Sequence, residues 1–93
     1  KKPKTGFQRY ANAIDAARTG KNNAGDLLGK IIRDNNTPAI ARASAMTNLS
    51  SYLDQSNIDV VQKGLNDDEA MVRLASVSAL EELPQHLLVT LAF

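Results

Sequence analysis

The sequence DDEAMVRLASVSALEEL at residues 67–83 has the strongest helical pattern in this chain. It opens with acids that favour a helix start: Asp67 is the predicted N-cap, and Asp68 and Glu69 lie in the first turn. Its apolar residues cover most of the helix circumference: Val72, Leu74, Ala75, Val77, Ala79, Leu80 and Leu83. A helix of this kind needs neighbours on at least two sides.

The composition is that of one small helical domain. A chain of 93 residues buries roughly 60–65% of its unfolded surface when it folds. With two Tyr, two Phe and no Trp, the core must be built from Ala, Leu, Ile and Val, which suits closely packed helices. The absence of Cys excludes disulfides, thiolate zinc sites and covalent haem attachment within these residues.

The charge pattern argues against nucleic acid and membrane partners. A net charge of +1 creates no strong field toward phosphates or acidic lipids, and no apolar run approaches the ~20 residues that span a bilayer. Residues 1–5, which include Lys1, Lys2 and Lys4, are expected to form a solvated basic leader. Because the chain begins with Lys and stops inside the apolar run LLVTLAF, we expect both ends to be cut from a longer chain.

Apolar periodicity predicts six helices and no strand. The expected helices run to about Thr19, from residue 22 or 23 to the break at 34–38, from Pro38 to about Leu53, over about 57–66, over 67–83, and from Pro84 onward. Gly20 is the predicted stop of the first helix. The other predicted caps are Thr5 with Gln8, Asn22 or Asn23, Thr37 before Pro38, and Ser56 with Asp59.

An internal repeat relates the third helix to the fifth. Setting Arg42 against Arg73 aligns, at one constant offset, Ala39 with Ala70, Ile40 with Met71, Ala41 with Val72 and Leu49 with Leu80. The preceding helices align at a slightly longer offset, with Leu28 over Val61, Ile32 over Leu65 and Asp34 over Asp67. Periods of roughly 20–45 residues, with two helices per unit, are typical of α-solenoids. We therefore predict an all-α fold, a short α–α superhelix of about six helices forming one domain over residues 1–93.

The residues of this repeat resemble a known family. The pattern Asp67, Val72-Arg73, Ser76 and Ala79-Leu80 looks like the second helix of a HEAT repeat, an armadillo-like α-solenoid unit. The earlier copy departs from it, with Ala41 in place of Val and Asn48 in place of the penultimate Ala. The resemblance covers most of residues 25–93 and implies stacked HEAT-like helical hairpins.

The HEAT resemblance also implies a role for two arginines. Arg42 and Arg73 would form a structural ladder, each reaching Asp34 or Asp67, the acid of an inter-helix turn in its own or a neighbouring unit. The alternative interpretation makes both arginines partner-binding residues.

A narrower likeness concerns the first and third helices. Phe7, Tyr10, Ala13, Ala16-Ala17-Arg18 and Gly20, followed by Pro-Ala-Ile-Ala-Arg-Ala at residues 38–43, are similar to the HEAT-like region of bacterial multihaem c-type cytochromes. That likeness implies haem c elsewhere in the parent protein, no cofactor in this segment, and a periplasmic location. The Cys-x-x-Cys-His haem motif is absent from these residues.

The sequence contains no convincing catalytic or metal-binding pattern. The glycines of GKNNAG at residues 20–25 have the outer spacing of a phosphate loop, but Asp26 and Leu27 stand where Lys and Ser/Thr are needed. His86 lacks partners at a ligand spacing, the acids at 67–69 lack the alternation of a calcium loop, and the serines have no His/Asp constellation. We therefore predict no catalytic, cofactor-binding or metal site here.

The leading functional hypothesis is a non-catalytic protein-interaction or scaffold module. Its partner would be another protein or an adjoining domain of the same parent, held on a partner face that comprises Thr47, Ser50, Ser51, Ser78, Glu81 and Glu82. The alternative is a HEAT-like accessory or enzyme fragment, of lyase or DNA-repair type, whose active residues lie outside this segment. A cut C-terminal helix would also expose apolar surface around residues 87–93 and could drive dimerisation.

Overall fold

The computed structural model describes the backbone of residues 6–92 and the side chains of residues 8–89. It contains α1 (Gly6–Thr19), α2 (Ala24–Arg33), α3 (Ala39–Leu49), a 3₁₀ helix (Ser50–Tyr52), α4 (Ile58–Leu65), α5 (Ala70–Glu81) and α6 (Gln85–Ala92). The described range contains no strand, so the prediction of an all-α fold with six α-helices is confirmed. The basic leader and the Thr5 cap lie outside the described residues.

The turn between α1 and α2 forms where the sequence predicts it. Gly20 has a φ of 69°, a left-handed conformation that glycine adopts without a steric penalty. The backbone N–H of Lys21 donates to the carbonyl of Ala16 at 3.0 Å, which closes the end of the helix. Asn23 is the N-cap residue of α2, although its side chain makes no capping hydrogen bond.

Two helices begin later than predicted. The first residue of α5 is Ala70 and its N-cap is Glu69, so the prediction of Asp67 as N-cap is wrong. The Asp67 carboxylate instead accepts the backbone N–H of Glu69 at 2.9 Å, which closes a turn before the helix starts. In α3 the cap position is held by Pro38 rather than Thr37, with extended backbone angles of φ −54° and ψ 146°.

The connection between α3 and α4 also differs from the prediction. The α-helix ends at Leu49, and the 3₁₀ helix Ser50–Tyr52 follows it. Asn57 orders the turn that follows, because its side chain donates to the carbonyl of Tyr52 and accepts the backbone N–H of Asp54, each at 2.9 Å. Ser56 does not cap α4. Its backbone N–H donates to the Asp54 carboxylate at 2.8 Å, and Asn57 takes the cap position.

The helices lie in two rows. In one row α3 lies between α1 and α5, and in the other α4 lies between α2 and α6. The rows contact each other through the α1–α2, α2–α3 and α4–α5 pairs. Between them lies an aliphatic core whose largest fully buried apolar side chains are Leu28, Ile32, Met46, Leu49, Val60, Val61 and Val72.

One glycine sets how closely α4 approaches its neighbours. A Cβ built on Gly64 would collide with Ser76 Oγ and lie 2.6 Å from Met46 Cε, well inside van der Waals contact. Ser76 is fully buried, and its hydroxyl donates to the carbonyl of Val72 at 2.8 Å. The helices therefore pack at this point only because residue 64 has no side chain.

The last helices leave apolar side chains exposed. As predicted, α5 has neighbours on two sides, α3 and α4. Even so, Leu74 is 68% exposed, and Met71 and Val77 are each 46% exposed. In α6, Leu87 is buried, whereas Leu88 and Val89 are exposed. The described residues therefore include an uncovered apolar surface on α5 as well as on the C-terminal helix.

Candidate functional site

Arg42 and Asp67 form the most buried ion pair among the described residues. Arg42 Nη2 donates a hydrogen bond to Asp67 Oδ1 at 2.9 Å, and Arg42 Nε donates one to Oδ2 at 3.2 Å. The guanidinium therefore binds the carboxylate through two parallel hydrogen bonds. The two side chains are only 8% and 5% exposed. This bidentate geometry is the strongest that an arginine and a carboxylate can adopt.

The same guanidinium also holds the turn that precedes its own helix. Arg42 Nη1 donates to the carbonyl of Thr37, and it lies 3.4 Å from the carbonyl of Asn35. Lys63 adds a second link, since its ammonium donates to the Asn35 side chain at 3.0 Å. The α2–α3 turn and the α4–α5 turn are therefore tied together by side chains of α3 and α4.

The environment of Asp67 favours its ionised form. Burial raises the pKa of this carboxyl, but the hydrogen bonds from Arg42 and from the Glu69 backbone N–H, together with the positive charges of Arg42 and Lys63, lower the pKa by more. The net pKa lies below the ordinary value of an aspartate.

We call the Arg42–Asp67 contact, with the turn that it holds, a junction. A second junction, between Arg9 and Asp34, is built in the same way one repeat earlier. Arg9 Nη2 lies 3.0 Å from Asp34 Oδ2, and the backbone N–H of Asn36 donates to Asp34 Oδ1 at 2.9 Å. Both junctions join an arginine to an aspartate 25 residues later, and both aspartates accept the backbone N–H of the residue two positions on. The Asn36 N–H and Arg9 lower the pKa of Asp34.

Arg42 reaches Asp67, one of the two aspartates that the ladder prediction named, but the other predicted partners differ from the structure. Asp34 is held by Arg9, which the sequence interpretation did not include, rather than by Arg42 or Arg73. The sequence does contain a signal for Arg9. The separation between Arg9 and Arg42 equals the separation between Asp34 and Asp67. Arg73 does not pair with a carboxylate among the described residues. It is exposed and donates to the backbone carbonyl of Asp67 at 2.7 Å.

A polar cleft of about 610 Å³ lies over the Arg42–Asp67 junction and is lined by residues of the two inter-helix turns. Its acids include Asp68 and Glu69, which are exposed, and its cations include Lys63. Across the side chains of residues 8–89, no three His, Cys, Asp or Glu residues come together as a metal-binding group. The residues that line the cleft include no histidine or cysteine, so they offer neither an imidazole base nor a thiolate nucleophile.

The structure places the predicted partner face at the C-terminal ends of two neighbouring helices. Thr47 lies in α3, Ser50 and Ser51 in the 3₁₀ helix, and Ser78 and Glu81 in α5, with Glu82 directly after it. All of these residues are exposed except Ser50, which is half-buried. The hydroxyls of Thr47 and Ser50 donate to the carbonyls of Ala43 and Thr47 at 3.2 and 2.8 Å, which leaves their oxygens as acceptors.

The predicted partner face is acidic. Glu81 and Glu82 contribute two carboxylates, and the remaining four residues are neutral hydroxyls. Acceptor oxygens therefore dominate this surface, which suits a partner that presents donors such as Lys, Arg or backbone N–H groups.

Comparison with known proteins adds no family assignment. Neither the protein-family models, nor the curated proteins, nor the solved structures yielded a match to this chain. Among the helices of the described part, none is long and apolar enough to cross a bilayer.

Proposed function

We propose that this chain is a non-catalytic protein-interaction module built as a short HEAT-like α-solenoid. The observation that carries the proposal is the repeated junction: Arg9–Asp34 and Arg42–Asp67 have the same sequence spacing and the same backbone N–H contact. A connection that recurs at the α2–α3 and α4–α5 turns holds successive helix pairs in the same relative position, as stacked repeats require.

The order of the helices supports this architecture. One row contains α1, α3 and α5, and the other contains α2, α4 and α6, so each α-hairpin contacts the next through both of its helices. In repeat proteins of this kind, one row of helices forms the surface that holds partners. The partner face lies on the row of α3 and α5, which matches that role.

The proposed partner is another protein or an adjoining domain of the same parent. The similarity to multihaem cytochromes makes a periplasmic electron-transfer domain the leading candidate. The chain itself does not fit haem c, because it contains no Cys to form the thioether bonds. Any electron transfer would therefore be carried by other segments, and these residues would supply binding and positioning.

Site-specific photocrosslinking in the cells that make the protein tests the proposal. A photoreactive residue replaces Ser78 on the partner face, and the control replaces Gln62, an exposed residue of α4 in the other row. We expect a discrete crosslinked protein from position 78 that is absent from position 62. The double variant Glu81→Arg/Glu82→Arg should weaken that crosslink by about tenfold or more, because charge reversal opposes a partner rich in donors.

Two results would count against this function. Equal crosslinking from positions 62 and 78 would show that the partner face has no selectivity. A crosslinked product that is insensitive to the double charge reversal would show that the acidic end of α5 takes no part in binding.

A further inference from the structure

The outer face of α5 combines exposed apolar side chains with an arginine. We define this outer face by Arg73, Leu74 and Val77, which are all exposed. Leu74 and Val77 are 68% and 46% exposed, and they follow Arg73 within one helical turn, so the three side chains share one side of the helix.

The internal repeat shows how the same positions are used one unit earlier. Arg73 is in register with Arg42, and Val77 is in register with Met46 at the same offset. Arg42 is 7% exposed and Met46 is fully buried. They are covered by the α4–α5 pair: Asp67 binds the arginine, and Met46 Cε lies 2.6 Å from a Cβ built on Gly64.

Among its described side chains, α1 has no large exposed apolar residue. The offset that aligns Arg9 with Arg42 also aligns two α1 residues with α3. Asn12 corresponds to Ala45, and Asp15 corresponds to Asn48. Both α1 residues are exposed. Within the described residues, α5 therefore differs from α1 in presenting apolar side chains beside an arginine that no carboxylate binds.

We propose that the outer face of α5 is a docking surface for a further helix pair of the α4–α5 kind, whose first helix would take the place beside α4 that α6 holds in this structure. The connecting turn of that pair would carry an aspartate that binds Arg73, and its second helix would cover Val77, as the α4–α5 pair covers Arg42 and Met46. This proposal concerns a different surface from the partner face. It rests on the repeat architecture and not on the acidic surface.

A second copy of this chain is a poor occupant on electrostatic grounds. The α5 segment has acids at both ends: Asp68 and Glu69 precede or cap the helix, and Glu81 and Glu82 end it. Antiparallel packing of two α5 helices would bring these like charges together. In a second copy the turn aspartate Asp67 is already bound by that copy's own Arg42, so it is not available to Arg73, whereas the turn aspartate of a further helix pair is.

The test inserts a second copy of residues 53–83 between Leu83 and Pro84 of the full chain. The insertion places the copied aspartate 25 residues after Arg73, the spacing of the Arg42–Asp67 pair. Because the natural chain has no Cys, single cysteines can report exposure through their rate of reaction with a thiol reagent. The reporter is Val77→Cys and the matched control is Met71→Cys, since both side chains are 46% exposed on the same helix.

The repeat predicts opposite results for these two positions. Val77 corresponds to the buried Met46, so its thiol should react at least about tenfold more slowly in the extended chain than in the natural chain. Met71 corresponds to Ile40, which stays 69% exposed beside the existing repeats, so its thiol should react at the same rate in both chains. Replacing the copied aspartate by Asn should restore part of the Val77→Cys reactivity.

Three outcomes would overturn the proposal. Unchanged reactivity of Val77→Cys in the extended chain would show that the face does not accept the helix pair. Loss of a cooperative thermal transition in the extended chain would show the same, because the natural chain provides the folded reference. Sedimentation of the natural chain as a dimer that Val77→Glu dissociates would assign the face to self-association instead.

Discussion

Arg42 and Asp67 are 25 residues apart in the sequence and face each other across the α3–α5 contact, with two hydrogen bonds of 2.9 and 3.2 Å between them. Each residue also binds a backbone group: the arginine holds the carbonyl of Thr37, and the aspartate holds the N–H of Glu69. One ion pair therefore orders two turns and the two helices that follow them.

Arg42→Ala should destabilise the fold by about 3–5 kcal/mol, because it leaves the Asp67 carboxylate buried without its cation. Urea denaturation followed by circular dichroism measures this loss. Arg9→Ala is the matched control, since Arg9 makes the equivalent pair but is 46% exposed, and surface ion pairs contribute little. Equal losses from the two variants would contradict the assignment of a special role to the buried pair.

The free energy of unfolding should fall on acidification below about pH 4, the ordinary range of an aspartate. Hydrogen bonds and arginine contacts lower the pKa values of Asp34 and Asp67, and hydrogen bonds from Ser56 and Asn57 lower that of Asp54. A folded-state pKa below the unfolded one stabilises the protein above the unfolded pKa. That stabilisation is lost as the pH falls through the folded pKa values.

Unfolding measured in urea between pH 2 and pH 6 gives this dependence. In Asp67→Asn the slope of stability against pH should be shallower than in the natural chain, since one of the three carboxylates no longer titrates. A natural chain with constant stability over this range would show that these contacts do not persist in solution.

Gly64→Ala should destabilise the protein by about 1–3 kcal/mol, because the added methyl overpacks the α4–α5 contact against Ser76 and Met46. Gly29→Ala is the control in α2. Its added Cβ would lie 3.7 Å from Val60 Cγ2, an ordinary contact, so the better helix propensity of Ala should stabilise by up to about 1 kcal/mol. Thermal melts show whether each variant is less or more stable than the natural chain. An increase in stability for Gly64→Ala would contradict the packing described for α4.

Tyr52→Phe should cost about 1 kcal/mol, the usual contribution of a hydrogen bond in a folded protein. The Tyr52 hydroxyl donates to the carbonyl of Ala17 at 2.6 Å, which ties the 3₁₀ helix to the end of α1. Hydrogen exchange of the last α1 amides should accelerate in the variant while amides of α5 exchange as before. Uniform acceleration across the chain would instead indicate global destabilisation without a local role for this bond.

Local patterns predicted the helices well because their signals lie within a few residues. The stop at Gly20 follows from a conformation that glycine adopts most easily, and the spacing of apolar residues marks each helix. Two of the errors fall at the helix starts near Thr37 and Asp67. At Asp67 the carboxylate that local rules assign to capping is bound by Arg42, 25 residues away in the sequence. At Thr37 the backbone carbonyl is bound by the same arginine.

The all-α class, the helix order and the repeat that sets Arg42 in register with Arg73 all follow from the amino-acid sequence, because periodicity and turn chemistry are local properties of the chain. Only the tertiary structure decided which arginine meets which aspartate, since that choice depends on which helices become neighbours. It also decided that Arg42 is buried and Arg73 exposed. Arg42 in α3 is buried because α5 and the turn before it pack over this arginine. Arg73 in α5 faces solvent because the described residues provide no further helix pair to cover it.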